Sequence, residues 1–320
     1  MNILITGCAG FVGFHLSNHL SNIKSLKIYG VDNFSSISER TQILRKKYLK
    51  KNKKIFFNKI DISNQDLLIK KFRNIKLDFV VHLAAQPGVR LSQKKPINTV
   101  DQNIKNFVNI LEFCNKKKVK NLFYASSSSV YGLDSNFREN QKLLNTTSIY
   151  AATKLSNEII ASTYQYLYNI NSLGLRFFTI YGPFGREDMV YFKFLNQIQK
   201  SNRITVYGDS KSSRSFTYID DVVKSLELLI KKYVKKKNYN EFINIGNSNS
   251  YSLKNLIEII EEKFDKNFKK VFLKRNKSDL KKTFASTKKL KKIINFTPKT
   301  KLKDGMIKFI TWYKNYYNEK

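Results

Sequence analysis

Two stretches of this sequence carry residue types that could do chemistry together. A serine run, Ser126-Ser127-Ser128-Ser129, closes an apolar stretch, and Tyr150-Ala-Ala-Thr-Lys154 follows one element later. Tyr and Lys at i and i+4 share one face of a helix. An ammonium beside a phenol favours the phenolate, and a phenol so tuned is a usable base near neutral pH. Tyr150 is read as that base and Lys154 as the group that lowers its pKa. A lone Tyr-x-x-x-Lys says little in a chain this rich in both residues. Its place after a serine-rich strand end is what gives it weight.

Directly after the first strand-like run stands Thr6-Gly7-Cys8-Ala9-Gly10-Phe11-Val12-Gly13, with glycines spaced G-x-x-G-x-x-G. Such glycines allow a tight turn, close approach of backbone to a pyrophosphate, and close packing of helix on strand. A helix starting near Phe11 would aim its first N–H groups at the phosphates. Asp32 ends the second strand-like run, 19 residues beyond Gly13. A carboxylate there can accept both ribose hydroxyls of NAD and would repel a 2′-phosphate; a surface Asp-Asn turn is the plainer alternative. Asp61-Ile62 fits an acceptor for the adenine amine, with a helix-capping Asp as its rival. A bound nicotinamide would add positive charge near Tyr150.

These residues need a scaffold that holds loops at strand ends. Strand-like runs at 2–6, 26–31, 55–59, 78–83, 121–126 and 171–177 alternate with amphipathic stretches near 11–21, 39–50, 64–73, 98–117 and 148–168. That alternation calls for a parallel sheet covered on both faces. Past residue 178 the rhythm changes. Residues 187–202 and 252–264 read as helices, 203–208 and 241–246 as strands, and 300–318 as a helix burying Phe309, Trp312 and Tyr313. The expected architecture is α/β. A doubly wound parallel sheet spans residues 1–178, a segment of about 216–245 returns to it, and a smaller α/β unit spans 179–320.

Composition narrows the function classes. The 320 residues are 42% apolar and 13% aromatic, enough for a sizeable core, with only 12 Gly and 4 Pro for linkers. Cys8 and Cys114 cannot form a disulfide framework or a structural zinc site, and they read as free thiols of a reducing compartment. A strand-like run follows Met1 at once, so no signal peptide is expected. No apolar stretch approaches the roughly 18–20 residues that cross a bilayer. The expectation is a cytoplasmic protein with no metal and no membrane partner. The formal charge of +35 invites a nucleic-acid reading. Yet 49 of the 59 basic residues are lysine, scattered or in surface runs, without a recognisable nucleic-acid motif. A solvated lysine surface is the reading adopted.

The chain resembles the extended short-chain dehydrogenase/reductase family of NAD-dependent nucleotide-sugar epimerases and dehydratases, from Gly7 to Tyr317. Within it, several segments look like UDP-glucuronate 4-epimerases. These are His82-Leu-Ala-Ala-Gln-Pro-Gly-Val-Arg90, Tyr124-Ala-Ser-Ser-Ser-Ser-Val-Tyr-Gly132, Leu175-Arg-Phe-Phe-Thr-Ile-Tyr-Gly-Pro-Phe-Gly-Arg-Glu-Asp-Met189, Phe216-Thr-Tyr-Ile-Asp-Asp221 and Asn244-Ile-Gly-Asn247. The resemblance implies a Rossmann sheet and bound NAD. It also implies inversion at carbon 4 of a UDP-sugar through a transient 4-keto form, with UDP-glucuronate going to UDP-galacturonate. Tyr150, Lys154 and Ser127 would be catalytic. Gly7, Gly10, Phe11, Val12, Gly13, Asp32, Asn33, Ser36, Asp61, Ile62, Leu83, Ala84, Ala85, Gln86, Asn103 and Phe177 would join Tyr150 and Lys154 around the cofactor. Arg90, Ser127, Ser128, Ser129, Tyr150, Phe178, Thr179, Arg186, Val206, Tyr207, Arg214 and Arg275 would face the substrate.

Ser128 and Ser129 stand where related dehydratases carry Asp-Glu, and such hydroxyls, with Thr179 and Arg186, suit a substrate carboxylate. His82 reads as a packed strand-end histidine. Three places depart from the family pattern: Pro87 after Gln86, Ser215 between Arg214 and Phe216, and Lys277-Ser278-Asp279-Leu280 in place of Pro-Gly-Asp-Val. Two alternatives stay open, a 4-epimerase of a neutral UDP-hexose or UDP-N-acetylhexosamine and a non-catalytic basic Rossmann protein that binds RNA. A homodimer is expected, its helices 98–117 and 148–168 pairing through Ile104, Phe107, Val108, Leu111, Ile159, Ile160 and Tyr164.

Overall fold

Short β-branched runs separated by helical stretches build one parallel sheet in the computed structural model, which describes residues 1–34, 40–133, 136–141, 143, 145–274 and 282–318. Its strands are β1 (Asn2–Thr6), β2 (Lys27–Asp32), β3 (Ile55–Lys59), β4 (Phe79–His82), β5 (Asn121–Ser127) and β6 (Asn171–Phe177). Between and after them run α1 (Phe11–Ser21), α2 (Arg40–Lys51), α3 (Gln65–Phe72), α4 (Val89–Lys94), α5 (Pro96–Val100), α6 (Asn106–Lys116) and α7 (Ile149–Tyr168). The later elements are β7 (Thr179–Tyr181), α8 (Val190–Ser201), β8 (Arg203–Tyr207), β9 (Ser213–Arg214), β10 (Phe216–Tyr218), α9 (Ile219–Tyr233) and β11 (Asn240–Ile245). β12 (Tyr251–Ser252), α10 (Leu253–Phe264), β13 (Lys269–Leu273), α11 (Lys288–Ile294) and α12 (Leu302–Asn318) complete the order.

The seven-stranded sheet runs β11-β6-β5-β4-β1-β2-β3, every neighbour parallel. This is a Rossmann-type doubly wound order, with the chain reversing direction of growth beside β1. Side chains alternate across it, as strand geometry requires. Leu4, Val80, Leu122 and Tyr124 enter one core with Phe107, Leu111 and Ala161, while Ile3, Ile5, Val81, Phe123 and Leu175 enter the other. The second core continues through Val222, Leu226, Phe192 and Phe309 of α9, α8 and α12. Two-stranded pairs β7–β10, β8–β13 and β9–β12 flank it. No described helix is long and apolar enough to cross a membrane.

Two expectations need correction. The stretch 98–117 is not one α-helix: a π turn, Asp101–Lys105, separates α5 from α6. α9 is a full helix where the sequence reading placed none. It buries Ile219, Val222, Val223, Leu226, Leu229, Ile230 and Tyr233, a helical spacing that was there to be read. It starts on the strand end Tyr218 without a side-chain cap, so no start signal drew attention to it.

Candidate active site

The glycine loop leaves β1 through Gly7, whose φ of +68° suits glycine. A Cβ there would lie 2.5 Å from the Ala84 nitrogen, and one on Gly13 would lie 2.1 Å from the Gly7 carbonyl oxygen. The missing side chains let the loop press against the β4 exit and against α1. α1 starts at Phe11 behind Gly10, with no side chain capping its first turn. Asp32 is buried at the end of β2, its Oδ2 accepting from Ala9 N (2.9 Å) and its Oδ1 from Phe34 N (2.8 Å). Burial raises its pKa, against the pull of those bonds and of Arg45. Asp61 accepts from Asn33 Nδ2 (2.8 Å) and Ser63 N. Burial pushes its carboxyl up, but these bonds outweigh it and the pKa falls below the ordinary value. Phe11 and Ile62 are buried, whereas Val12 and Phe177 are half-buried and pack against the second core. Ser36 lies outside the described residues.

Leu83, Ala84, Ala85 and Gln86 form the partly exposed exit from β4. Asn103 holds Gln86 by both backbone groups, accepting from its N–H (2.7 Å) and donating to its carbonyl (3.0 Å). Asn103 also donates to Thr153 Oγ1, which itself donates to the Tyr150 carbonyl. The π turn thus ties the β4 exit to the start of α7. His82 is packed as expected, its Nδ1 2.7 Å from Thr6 Oγ1, with burial and then Lys154 bringing its pKa to about 3.

Ser148 caps α7 by accepting from Ala151 N, and Ser92 Oγ accepts from Tyr150 N. Tyr150 therefore stands in the first turn, and its hydroxyl bonds to Ser127. Lys154, one turn on, is buried with Nζ 5.9 Å from the Tyr150 ring centroid, and burial brings its pKa to about 8. In the chain alone the expected depression of the phenol is reversed. Burial raises Tyr150, while the Ser127 bond and the Arg186 charge pull the other way.

Ser127 Oγ accepts from Ser129 N (3.1 Å), and Ser128 and Ser129 open a partly exposed 3₁₀ turn. Thr179 is half-buried at the start of β7. Arg186 grips Asp188 through Nε (2.9 Å) and Nη2 (2.6 Å). A Cβ on Gly88 would sit 3.8 Å from that Nη2, so the arginine reaches the mouth formed by the β4 exit. Arg90 stacks on Tyr207 at 4.4 Å. Arg214, on β9, donates to the Ser213 carbonyl. Val206 and Phe178 turn into cores, because alternate β8 residues face inward and Phe178 packs with Tyr131 and Phe137. Arg275 lies outside the described residues. No group of three or more possible metal ligands occurs among the described residues.

Sequence reasoning missed a buried assembly under the serine turn. Glu158 accepts from Ser126 Oγ (2.6 Å) and from Arg176 Nε and Nη2; Arg176 also donates to Tyr131 Oη, which donates to Asn244. The spacing 150, 154, 158 on one helix face, and an arginine inside the apolar run Leu173–Phe178, were the available signals.

Residues 3–246 match the NAD dependent epimerase/dehydratase family. UDP-glucuronate 4-epimerase of Thermodesulfobacterium geofontis is 37% identical over 314 residues, 97% of this chain and 95% of the relative. The structure of UDP-glucuronic acid 4-epimerase from Bacillus cereus with UDP-glucuronic acid and NAD superposes with a TM-score of 0.90 at 32% identity, covering 98% of this chain and 99% of that one. UDP-glucose 4-epimerase of Thermotoga maritima, solved with UDP-glucose, superposes with a TM-score of 0.88 at 25% identity, covering 98% and 99%.

Proposed function

The chain belongs to the NAD dependent epimerase/dehydratase family, and from that premise we propose that it interconverts UDP-glucuronate and UDP-galacturonate by inverting carbon 4. The observation that carries the substrate is Arg186. Its guanidinium reaches the mouth beside Tyr150, and its fork already takes one carboxylate, that of Asp188, by two bonds.

NAD fits the residues present. Gly7 and Gly13 have no room for a Cβ, α1 offers first-turn N–H groups with no side-chain cap, and Asp32 is a carboxylate that backbone N–H groups hold in place beside the loop. Gly7, Gly10, Phe11 and Val12 would hold the pyrophosphate, Asp32 and Asn33 the adenosine ribose, Asp61 and Ile62 the adenine. When bound, NAD supplies reversible hydride acceptance at carbon 4.

Tyr150 takes the proton of the 4-hydroxyl and gives it back after inversion, while Ser127 holds the reacting oxygen. Lys154 keeps a positive charge one turn below the phenol, favouring its ionised form as the proton leaves. The 4-keto form of a uronic acid is a β-keto acid, prone to lose carbon dioxide when its carboxylate aligns with the carbonyl π-system. In this reading Ser128, Ser129, Thr179 and Arg186 hold that carboxylate out of alignment. Arg90, Tyr207 and Arg214 are assigned to the uridine diphosphate. We assign residues 1–178, with the return through β11, to the cofactor, and the remainder to the sugar nucleotide.

One observation favours a second reading. Asp188 already neutralises Arg186, which suits a mouth that admits a neutral UDP-hexose. Incubation with a panel of UDP-sugars and chromatography of the products decides between them. Turnover of UDP-glucose as efficient as that of UDP-glucuronate overturns the uronate reading.

A homodimer is part of this proposal, but its face is revised. Phe107 and Leu111 are core residues, whereas Ile97, Val100, Ile159 and Leu167 are exposed on α5 and α7. A monomer by light scattering at micromolar concentration overturns it. The buried thiols Cys8 and Cys114 support a cytoplasmic, reducing setting.

A further inference from the structure

Arg45 is among the most buried residues of the chain, 2% exposed, on the inward face of α2 with Thr41, Gln42 and Leu49. A guanidinium never sheds its charge, so burying one is costly unless its donors find acceptors. Two of its acceptors lie on separate loops. Nε donates to the Ala9 carbonyl at 2.7 Å, and Nη1 donates to the Phe184 carbonyl at 2.6 Å.

Ala9 is the middle of the glycine loop. Its N–H is held by Asp32 and its carbonyl by Arg45, so the two successive peptide groups that flank the Ala9 Cα in the dinucleotide loop are each fixed. Phe184 stands two residues before Arg186, at a φ of +55° that a bulky residue seldom adopts. Its ring is wedged among Phe14, Tyr48 and Trp312. On the far side of Arg186, Glu187 Oε1 accepts from Thr41 N (2.8 Å), again from α2, and from Tyr316 Oη. His15, neutral at physiological pH because burial brings its pKa to about 4, meets the Pro183 carbonyl at 2.9 Å. Among the described residues, the groups that face Arg45 include Asp32, His15, Tyr191 and two carbonyls.

We propose that Arg45 is a positioning residue that couples the dinucleotide loop to the loop carrying Arg186, so that cofactor occupancy stiffens the grip on the sugar. The sugar half rests on the function proposed above; the cofactor half does not. Coupling of this kind is reciprocal: whatever factor NAD contributes to sugar affinity, the sugar contributes to NAD affinity. Lysine in place of Arg45 keeps the charge but lacks the planar fork that reaches both carbonyls.

The test is Arg45→Lys, compared with wild type by NAD dissociation constant with and without UDP-glucuronate and by KM and kcat for UDP-glucuronate and UDP-glucose. The expected result is about tenfold weaker NAD binding and about tenfold higher KM for UDP-glucuronate, with kcat and the KM for UDP-glucose little changed. The mutual enhancement of NAD and uronate should fall towards one. In an Arg186→Ala background, Arg45→Lys should add little further rise in KM, since its effect passes through that loop. A variant that melts earlier but keeps wild-type NAD and sugar affinities overturns the proposal, as does full additivity with Arg186→Ala. If Arg45→Lys does not fold, hydrogen exchange of wild type decides: NAD should slow exchange of backbone amides 184–189, and unchanged exchange there overturns the coupling. A wild type that ignores UDP-glucuronate refutes the proposed substrate, while the NAD affinity and exchange measurements still judge Arg45.

Discussion

Glu158 takes both Nε and Nη2 of Arg176 in a pair almost sealed from solvent, 3% and 2% exposed, on the face of α7 that carries Tyr150 and Lys154. Tyr150, Lys154 and Glu158 follow one another at four-residue intervals, so the pair anchors to β6 the same helix face that carries the reactive groups. Removing one partner leaves the other charge buried alone. Glu158→Gln should lower unfolding stability by roughly 3–5 kcal/mol in urea melts. The double change Glu158→Leu with Arg176→Met should recover much of that loss. A single variant as stable as wild type would contradict this account.

Tyr150→Phe removes the hydroxyl proposed as acid and base and keeps the ring. Turnover should fall roughly 10²–10⁴-fold, while UDP-sugar affinity by calorimetry changes little. Activity near wild type would sink the mechanism.

Lys154 is held charged at a cost. With its pKa at about 8 against 10.5 for a free lysine, the folded state carries the full penalty below about pH 8. Between pH 8 and 10.5 the unfolded chain binds more protons than the native one, so this contribution to stability rises with pH. Lys154→Met should therefore melt a few degrees above wild type at pH 7, with the gap closing towards pH 10.5, and should be nearly inactive. A gap that widens with pH in calorimetric scans would reverse the assignment.

Arg186→Ala should raise KM for UDP-glucuronate by about tenfold to a hundredfold, the weight of a charge-assisted pair, and leave KM for UDP-glucose near its starting value. Equal changes for both sugars would mean that Arg186 supports the loop and does not read the carboxylate.

Asp32 should make the enzyme an NAD enzyme in practice, because a 2′-phosphate would meet a buried carboxylate. Reconstitution with NADP should give little turnover. Comparable rates with either dinucleotide would remove Asp32 from the ribose site.

The first six strands and the glycine loop were legible because their signals are local: β-branched runs, a glycine spacing, an acidic residue at a strand end. The ends of α7, α8 and α10, expected at 168, 202 and 264, fall at Tyr168, Ser201 and Phe264, whereas α11 has no counterpart in the sequence reading. α7, α8, α10 and α11 stop at Asn169, Asn202, Asp265 and Asn295, all in the left-handed conformation where glycine is the usual marker. The shared helix face of Tyr150 and Lys154 followed from spacing, but its electrostatics did not. Whether a phenol is raised or lowered depends on burial by residues distant in sequence, and here burial wins in the chain alone. Nothing local in the amphipathic stretch 39–50 reveals that Arg45 finds acceptors 36 and 139 positions away.

The π turn at Asp101–Lys105 has a consequence for how this chain can change length. A π turn carries one residue more than the α-helical repeat needs, and here that surplus presents Asn103 to Gln86 and Thr153. Deleting one residue there would relax the backbone to a plain helix with α5 and α6 still in register, since the turn absorbs a residue that the α-helical repeat does not need. Phe107, Ile110 and Leu111 would stay in the core, but the bulge that presents Asn103 to Gln86 and Thr153 would be gone. Descendants of this sequence that lose one residue of the turn would keep the helix and give up the tie between the β4 exit and α7.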